Sequence, residues 1–196
     1  EIIVSEELRK IGLNIIGPNK KYILDKNQKK QLKIDSDSLE TDLIIDFDDR
    51  ICFMEIKKKT LKKESKSGEY FSILDDLMKS LLKSQIQAYR HERFLRTYEK
   101  ICFTDDTSIE LKDREIITIS LSNFNYGSLH DFSFTSKILD ILGKGYLKDE
   151  HKDGKKINEF NKSLKQLHKE IELKKYEYEN MKFSKCHFLN IFHLFF

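Results

Sequence analysis

Within the segment ETDLIIDFDDRICFMEIK, residues 40–57, three side chains have the types and spacing for phosphoryl chemistry: Asp42, Glu55 and Lys57. The segment is rich in β-formers on either side of Asp48-Asp49, the pattern of two strands joined by a two-residue turn. With that turn Asp46 faces Ile51 and Ile44 faces Phe53. The same register sets Asp42 opposite Glu55 and Glu40 opposite Lys57. Alternate residues of a strand share a face, so these four project to one side. Like charges directly opposed cost a sheet up to about 1 kcal/mol. A hard divalent cation bound by carboxylate oxygens neutralises such a pair, and Mg²⁺ needs only one or two such ligands besides water and substrate phosphate. Lys57 then stands where an ammonium orients a water or stabilises developing negative charge. The chemistry is metal-assisted phosphodiester hydrolysis, in which the metal lowers the pKa of a bound water and clamps the scissile phosphate. The same residues also fit an ordinary edge hairpin with a charged, solvated face.

Elements that can carry this hairpin are readable along the chain. Ser5, followed by acids, predicts a helix from Ser5 to Leu13, ended by Gly17-Pro18. Residues 21–24 read as a short strand and 25–39 as a polar connection with a second short strand near Leu32 to Ile34. After the hairpin, residues 60–70 break into a polar loop. Apolar residues at 74, 77, 78, 81, 82 and 86 then predict a helix from Tyr70 to about Tyr98, with Asp75 and Asp76 as polar positions near its start. Residues 100–103 and 115–121 read as strands, and 134–142 as a short helix. Ile157, Phe160, Leu164, Leu167, Ile171, Tyr178 and Met181 follow three-and-four spacing, a long amphipathic helix that either packs on the core or pairs with a partner. The apolar tail 186–196 must bury somewhere.

Composition excludes several classes. Hydrophobic content of 39% and charged content of 35% over 196 residues suit an α/β protein with one sizeable core, not a disordered chain. Net charge is only +3, but acids crowd residues 35–49 and lysines crowd 57–66. That lysine run is a solvated loop or, beside an acidic site, a phosphate-facing rim. Three cysteines without a CxxC pair point to reduced thiols in the cytoplasm, and no apolar run is long enough to span a membrane. Cys186, His187 and His193 match no zinc spacing, and GKG at 143–145 lacks the length of a phosphate-binding loop. The chain opens with Glu1 instead of Met, which is the expectation for a fragment of a longer protein.

Thr41-Asp42, the strand-turn-strand and Glu55-Ile56-Lys57 resemble the PD-(D/E)xK nuclease superfamily, with its restriction-endonuclease-like fold. In that family the first acid and the acid of the ExK motif bind Mg²⁺ and the lysine assists the attacking water. The resemblance implies these roles for Asp42, Glu55 and Lys57, with Ile56 as a further metal contact and Mn²⁺ able to replace Mg²⁺. Thr41 stands where the pattern has proline. An acid from the first helix often joins such sites, which brings in Glu6 and Glu7, and Glu40 shares the hairpin face. Gln85 and Tyr89, four apart on one helical face, resemble the QxxxY motif of RecB-like branches, whose helix lies beside the active site.

The implied fold is an αβββαβ core with a mixed sheet over roughly residues 1–122, within a nuclease-like domain of 1–150. The helix and tail of 151–196 then serve docking to a protein partner or dimerisation. The implied function is Mg²⁺-dependent cleavage of nucleic acid, DNA ahead of RNA, in restriction, phage defence or repair. Lys58, Lys59, Lys62, Lys63, Arg90 and Arg93 are the expected phosphate contacts, with Arg96 on the same helix. The alternative is an inactive nuclease-like module that binds nucleic acid or a protein partner.

Overall fold

The computed structural model describes residues 1–123, 125–148, 154–177 and 186–191. In chain order the elements are α1 (Ile2–Lys10), β1 (Ile15–Ile16), β2 (Lys20–Ile23), α2 (Lys26–Leu32), β3 (Ser38–Thr41), β4 (Leu43–Asp46), β5 (Arg50–Lys57), α3 (Lys63–Lys66) and α4 (Tyr70–Leu77). A π-helical segment (Met78–Leu82) leads into α5 (Lys83–Tyr98), followed by β6 (Lys100–Cys102), β7 (Ser108–Glu110), β8 (Glu115–Ser122), α6 (Phe132–Leu142), α7 (Gly154–Glu177) and β9 (Cys186–Asn190). The protein is a mixed α/β fold around a five-stranded sheet of order β1-β4-β5-β8-β9, with two further two-stranded sheets, β2-β3 and β6-β7. The β1-β4 and β4-β5 pairs are antiparallel. The Glu115 amide donates to the Asp49 carbonyl at the start of β5 and β8, and the Asn123 amide donates to the Lys57 carbonyl at their ends, so these two strands run parallel.

The chain divides into two compact units, Glu1–Glu55 with Gln87–Thr118, and Ile56–Ile86 with Ile119–Phe196. In the first unit β2 and β3 alternate as half-buried strands should: Tyr22, Leu39 and Thr41 are buried while Lys21, Ile23 and Glu40 are exposed. Their inner face joins Ile44, Ile51, Phe53, Phe94, Leu95, Ile101 and Ile116 in the core of that unit. β4 and β5 are covered on both faces, and accordingly read as near-continuous apolar runs. In the second unit Leu77, Leu81, Tyr126 and Phe188 form a core. There Ile157, Phe160, Leu164 and Leu167 of α7 are buried, and the helix packs on α4 and the π-helical segment. Tyr178, Met181 and His193 lie outside the described residues.

Two expected elements are corrected. The first helix runs from Ile2 to Lys10 instead of starting at a Ser5 cap: Ser5 is buried inside it, its hydroxyl donating to the Ile2 carbonyl at 2.8 Å. Residues 25–39, read as polar connection with a short strand near Leu32 to Ile34, instead contain α2, which is opened by a capping box and ends at Leu32, and the strand lies further on, as β3 from Ser38. Asp25 accepts from the amides of Asn27 and Gln28 while the Gln28 side chain accepts from the Asp25 amide.

Candidate active site

From the turn to Leu43 the observed hairpin register is the expected one. Asp46 pairs with Ile51, Ile45 with Cys52, Ile44 with Phe53 and Leu43 with Met54, and the Phe47 amide closes the turn on the Arg50 carbonyl at 3.0 Å. The ladder ends there, so Asp42 and Glu55 are the next residue on each strand beyond its last pair. Asp42 is the single residue between two sheets. Thr41 is the last residue of β3 and pairs with Lys20, whereas Leu43 already belongs to β4 and pairs with β5. Two contacts fix this bend. The Asn19 amide donates to the Asp42 carbonyl at 2.9 Å. Gly17, at φ +148°, comes so close that a Cβ there would lie 2.8 Å from Leu43 Cδ2 and 3.3 Å from the Asp42 oxygen.

The switch of sheets also corrects Glu40. Its partner is Lys21 of β2, not Lys57, because β3 pairs with β2 alone, and its side chain is exposed.

Glu55 is fully buried in β5, among Ile51, Cys52, Phe53, Met54 and Ile56, none more than 5% exposed. An ionised carboxylate in such surroundings costs several kcal/mol unless partners compensate it. One neighbour is His91 of α5, also fully buried, whose Nε2 lies 3.6 Å from Glu55 Oε1 and 3.1 Å from the Glu40 carbonyl oxygen. His91 Nδ1 sits 2.8 Å from the hydroxyl of buried Tyr22, and its ring stacks on Phe53 with centroids 5.5 Å apart. Burial, reinforced by the charge of Glu55, pushes the Tyr22 phenol well above its usual pKa. Gln87, one turn before His91 on α5, donates to the same Glu40 carbonyl at 2.8 Å. The spacing of Gln87 and His91 repeats that of Gln85 and Tyr89, a second polar i,i+4 pair that could have flagged them in the sequence.

The other expected residues fall into different surroundings. Lys57 is half-buried at the end of β5, two residues after Glu55 and hence on the same strand face, with Ile56 buried between them. Gln85 is fully buried on α5, while Tyr89 and Arg90 are half-exposed. Arg93, expected at a phosphate, is instead fully buried, and its Nη1 donates to the Leu32 carbonyl. Arg96 binds Glu92 at 2.9 Å. Glu6 is exposed on α1, and Glu7 pairs with Lys10 at 2.5 Å.

In the second unit the lysine run is tied to α4. Lys59 Nζ is 3.1 Å from Oδ1 of fully buried Asp76, whose Oδ2 accepts from the Lys62 amide at 2.7 Å and Ser65 Oγ at 2.6 Å. Lys62 Nζ reaches Asp75 at 2.5 Å, where Lys79 also binds. Burial raises the Asp75 carboxyl, but the hydrogen bonds from Lys62 and Lys79 outweigh it and hold the group below its usual range. Lys58 and Lys63 are exposed. The two aspartates read as plain polar positions are therefore the anchors of the lysine segment.

Among the described residues no group of three or more His, Cys, Asp or Glu side chains is arranged to hold a metal ion, and no helix is long and apolar enough to cross a membrane. No protein-family model, curated protein or solved structure matches this chain.

Proposed function

We propose that the chain is a Mg²⁺-dependent nuclease of the restriction-endonuclease-like fold, acting on DNA ahead of RNA. The observation that carries this reading is Glu55: a carboxylate fully buried in an apolar strand, one step past the ladder pair that leads to Asp42 on its bend. Buried Asp76 is neutralised by Lys59 and serves structure, whereas the end of β5 places Lys57 two residues after Glu55, the combination that a metal-assisted hydrolysis uses. The donors fit the ion in kind and number, because Mg²⁺ takes one or two carboxylates and leaves its other positions to water and phosphate. Asp42, Glu55 and the main-chain carbonyl of Ile56 would hold it. Bound there, the ion supplies an activated water and neutralises charge on the scissile phosphate.

Lys57, on the strand face of Glu55, orients the attacking water or meets the developing negative charge. Gln85, being buried, holds α5, and half-exposed Tyr89 and Arg90 turn toward the substrate backbone. Lys58 and Lys63 supply phosphate contacts, whereas Lys59 and Lys62 already neutralise Asp76 and Asp75. Incubation with plasmid, linear duplex and single-stranded DNA, with Mg²⁺ or Mn²⁺ against EDTA, tests the reading. Metal-dependent cleavage is expected. A protein that binds DNA yet cuts none of these substrates would instead be the inactive module.

A further inference from the structure

His91 is enclosed by acceptors on one side and a phenol on the other. Its Nε2 faces the Glu40 carbonyl at 3.1 Å and Glu55 Oε1 at 3.6 Å, and neither a carbonyl nor a carboxylate oxygen can donate. Nε2 must therefore carry the hydrogen. In the neutral ring Nδ1 is then an acceptor, and the Tyr22 hydroxyl 2.8 Å away is its donor. Burial keeps that phenol protonated, the state in which it donates. The Glu40 carbonyl receives two donors from α5, His91 Nε2–H and the Gln87 amide. That carbonyl lies two residues before Asp42. One turn of α5 thus grips the main chain leading into one acid of the pair and faces the carboxylate of the other.

We propose that His91, in the Nε2–H tautomer set by Tyr22, is the positioning residue of the acid pair: with Gln87 it fixes the strand that carries Asp42, and its ring packs against Glu55, with Nε2 3.6 Å from Oε1. The inference rests on the metal-dependent reading above and adds a group that acts through the metal ligands without touching the metal. Groups that orient ligating carboxylates typically cost 10–100-fold in metal affinity when removed. A histidine that merely filled the core would change stability and leave metal affinity alone.

The test is Mn²⁺ binding by isothermal titration calorimetry to the full chain. Wild type, His91→Leu, His91→Gln and Tyr22→Phe are compared, with melting in EDTA and ¹⁵N NMR of the histidines alongside. Wild-type His91 should carry its hydrogen on Nε2. His91→Leu should bind Mn²⁺ about tenfold or more weakly. His91→Gln, which keeps a side-chain N–H, should recover most of the loss. Tyr22→Phe should weaken binding although His91 is still present. A folded His91→Leu with wild-type affinity overturns the inference, as does a hydrogen on Nδ1 in wild type. Should His91→Leu not fold, Tyr22→Phe decides, and unchanged affinity in that variant overturns it equally. A wild type that neither binds Mn²⁺ nor cleaves DNA is a separate outcome: it overturns the nuclease reading itself, and the inference with it, before any variant is compared.

Discussion

At the scale of the residue, Glu55 and its neighbours form a buried row of polar groups beside an apolar strand. His91 Nε2 lies 3.6 Å from Glu55 Oε1, and Tyr22 holds His91, all three at most 1% exposed. Alternation along the hairpin is enough to read Glu55 and its register, because strand period and turn type leave little freedom. The histidine and the tyrosine are not readable in this way, since nothing local links residue 22 to residue 91. Only folding brings them within 2.8 Å.

Tyr22 also carries a pH dependence whose sign is fixed. Burial first, and the charge of Glu55 second, raise its folded pKa well above the ordinary value of 10.0. The stability it contributes is therefore fully present below the unfolded value and is lost as pH rises above it, because only the unfolded chain then gains by releasing the proton. Melting temperature should fall more steeply above pH 10 in wild type than in Tyr22→Phe. Parallel curves for the two proteins would contradict this burial of the phenol.

At the scale of the element, Asp42 owes its place to a change of sheets within one residue. β3 ends at Thr41 and β4 begins at Leu43, and Gly17 fills the space against the bend where no side chain fits. Gly17→Ala should cost about 1–3 kcal/mol, since it adds both a strained φ and a clash with Leu43. Urea unfolding reads this as a lower midpoint at unchanged slope, and an unaltered midpoint would mean that the bend tolerates a Cβ. The break between β3 and β4 is invisible in the sequence because the hairpin pattern runs on from Glu40 to Asp46 without a break; only pairing with β2 reveals the switch. Helix α2 is legible in principle through Asp25 and Gln28, three apart, a capping signal masked by the polarity of its lysines. The long helix of residues 70–98 is observed at its expected ends, with the π-helical segment inside it, a local widening that apolar spacing does not encode.

For the molecule as a whole, a net charge of +3 means that the proposed binding to nucleic acid must rest on local basic groups. The lysine run is legible as a charge cluster, but which of its lysines bind α4 is not, because Asp75 and Asp76 lie more than a dozen residues further on. Replacing Lys58 and Lys63 with Gln should flatten the plot of log affinity against log salt by about 0.9 for each phosphate that is no longer neutralised. Replacing Lys59 and Lys62 should instead lower the melting temperature, because Asp76 is then left buried without its cation. Equal slope changes for the two pairs would contradict that division.

The central claim is that Glu55 is buried in order to hold a catalytic metal, and single-turnover cleavage by wild type and Glu55→Gln in Mg²⁺ tests it most directly. Glutamine keeps the shape of the side chain and removes its charge, so the variant should fold with an unchanged circular dichroism spectrum. A metal ligand contributes several kcal/mol to the transition state, so the rate should fall by at least about a hundredfold. A Glu55→Gln protein that cleaves as fast as wild type would contradict the account.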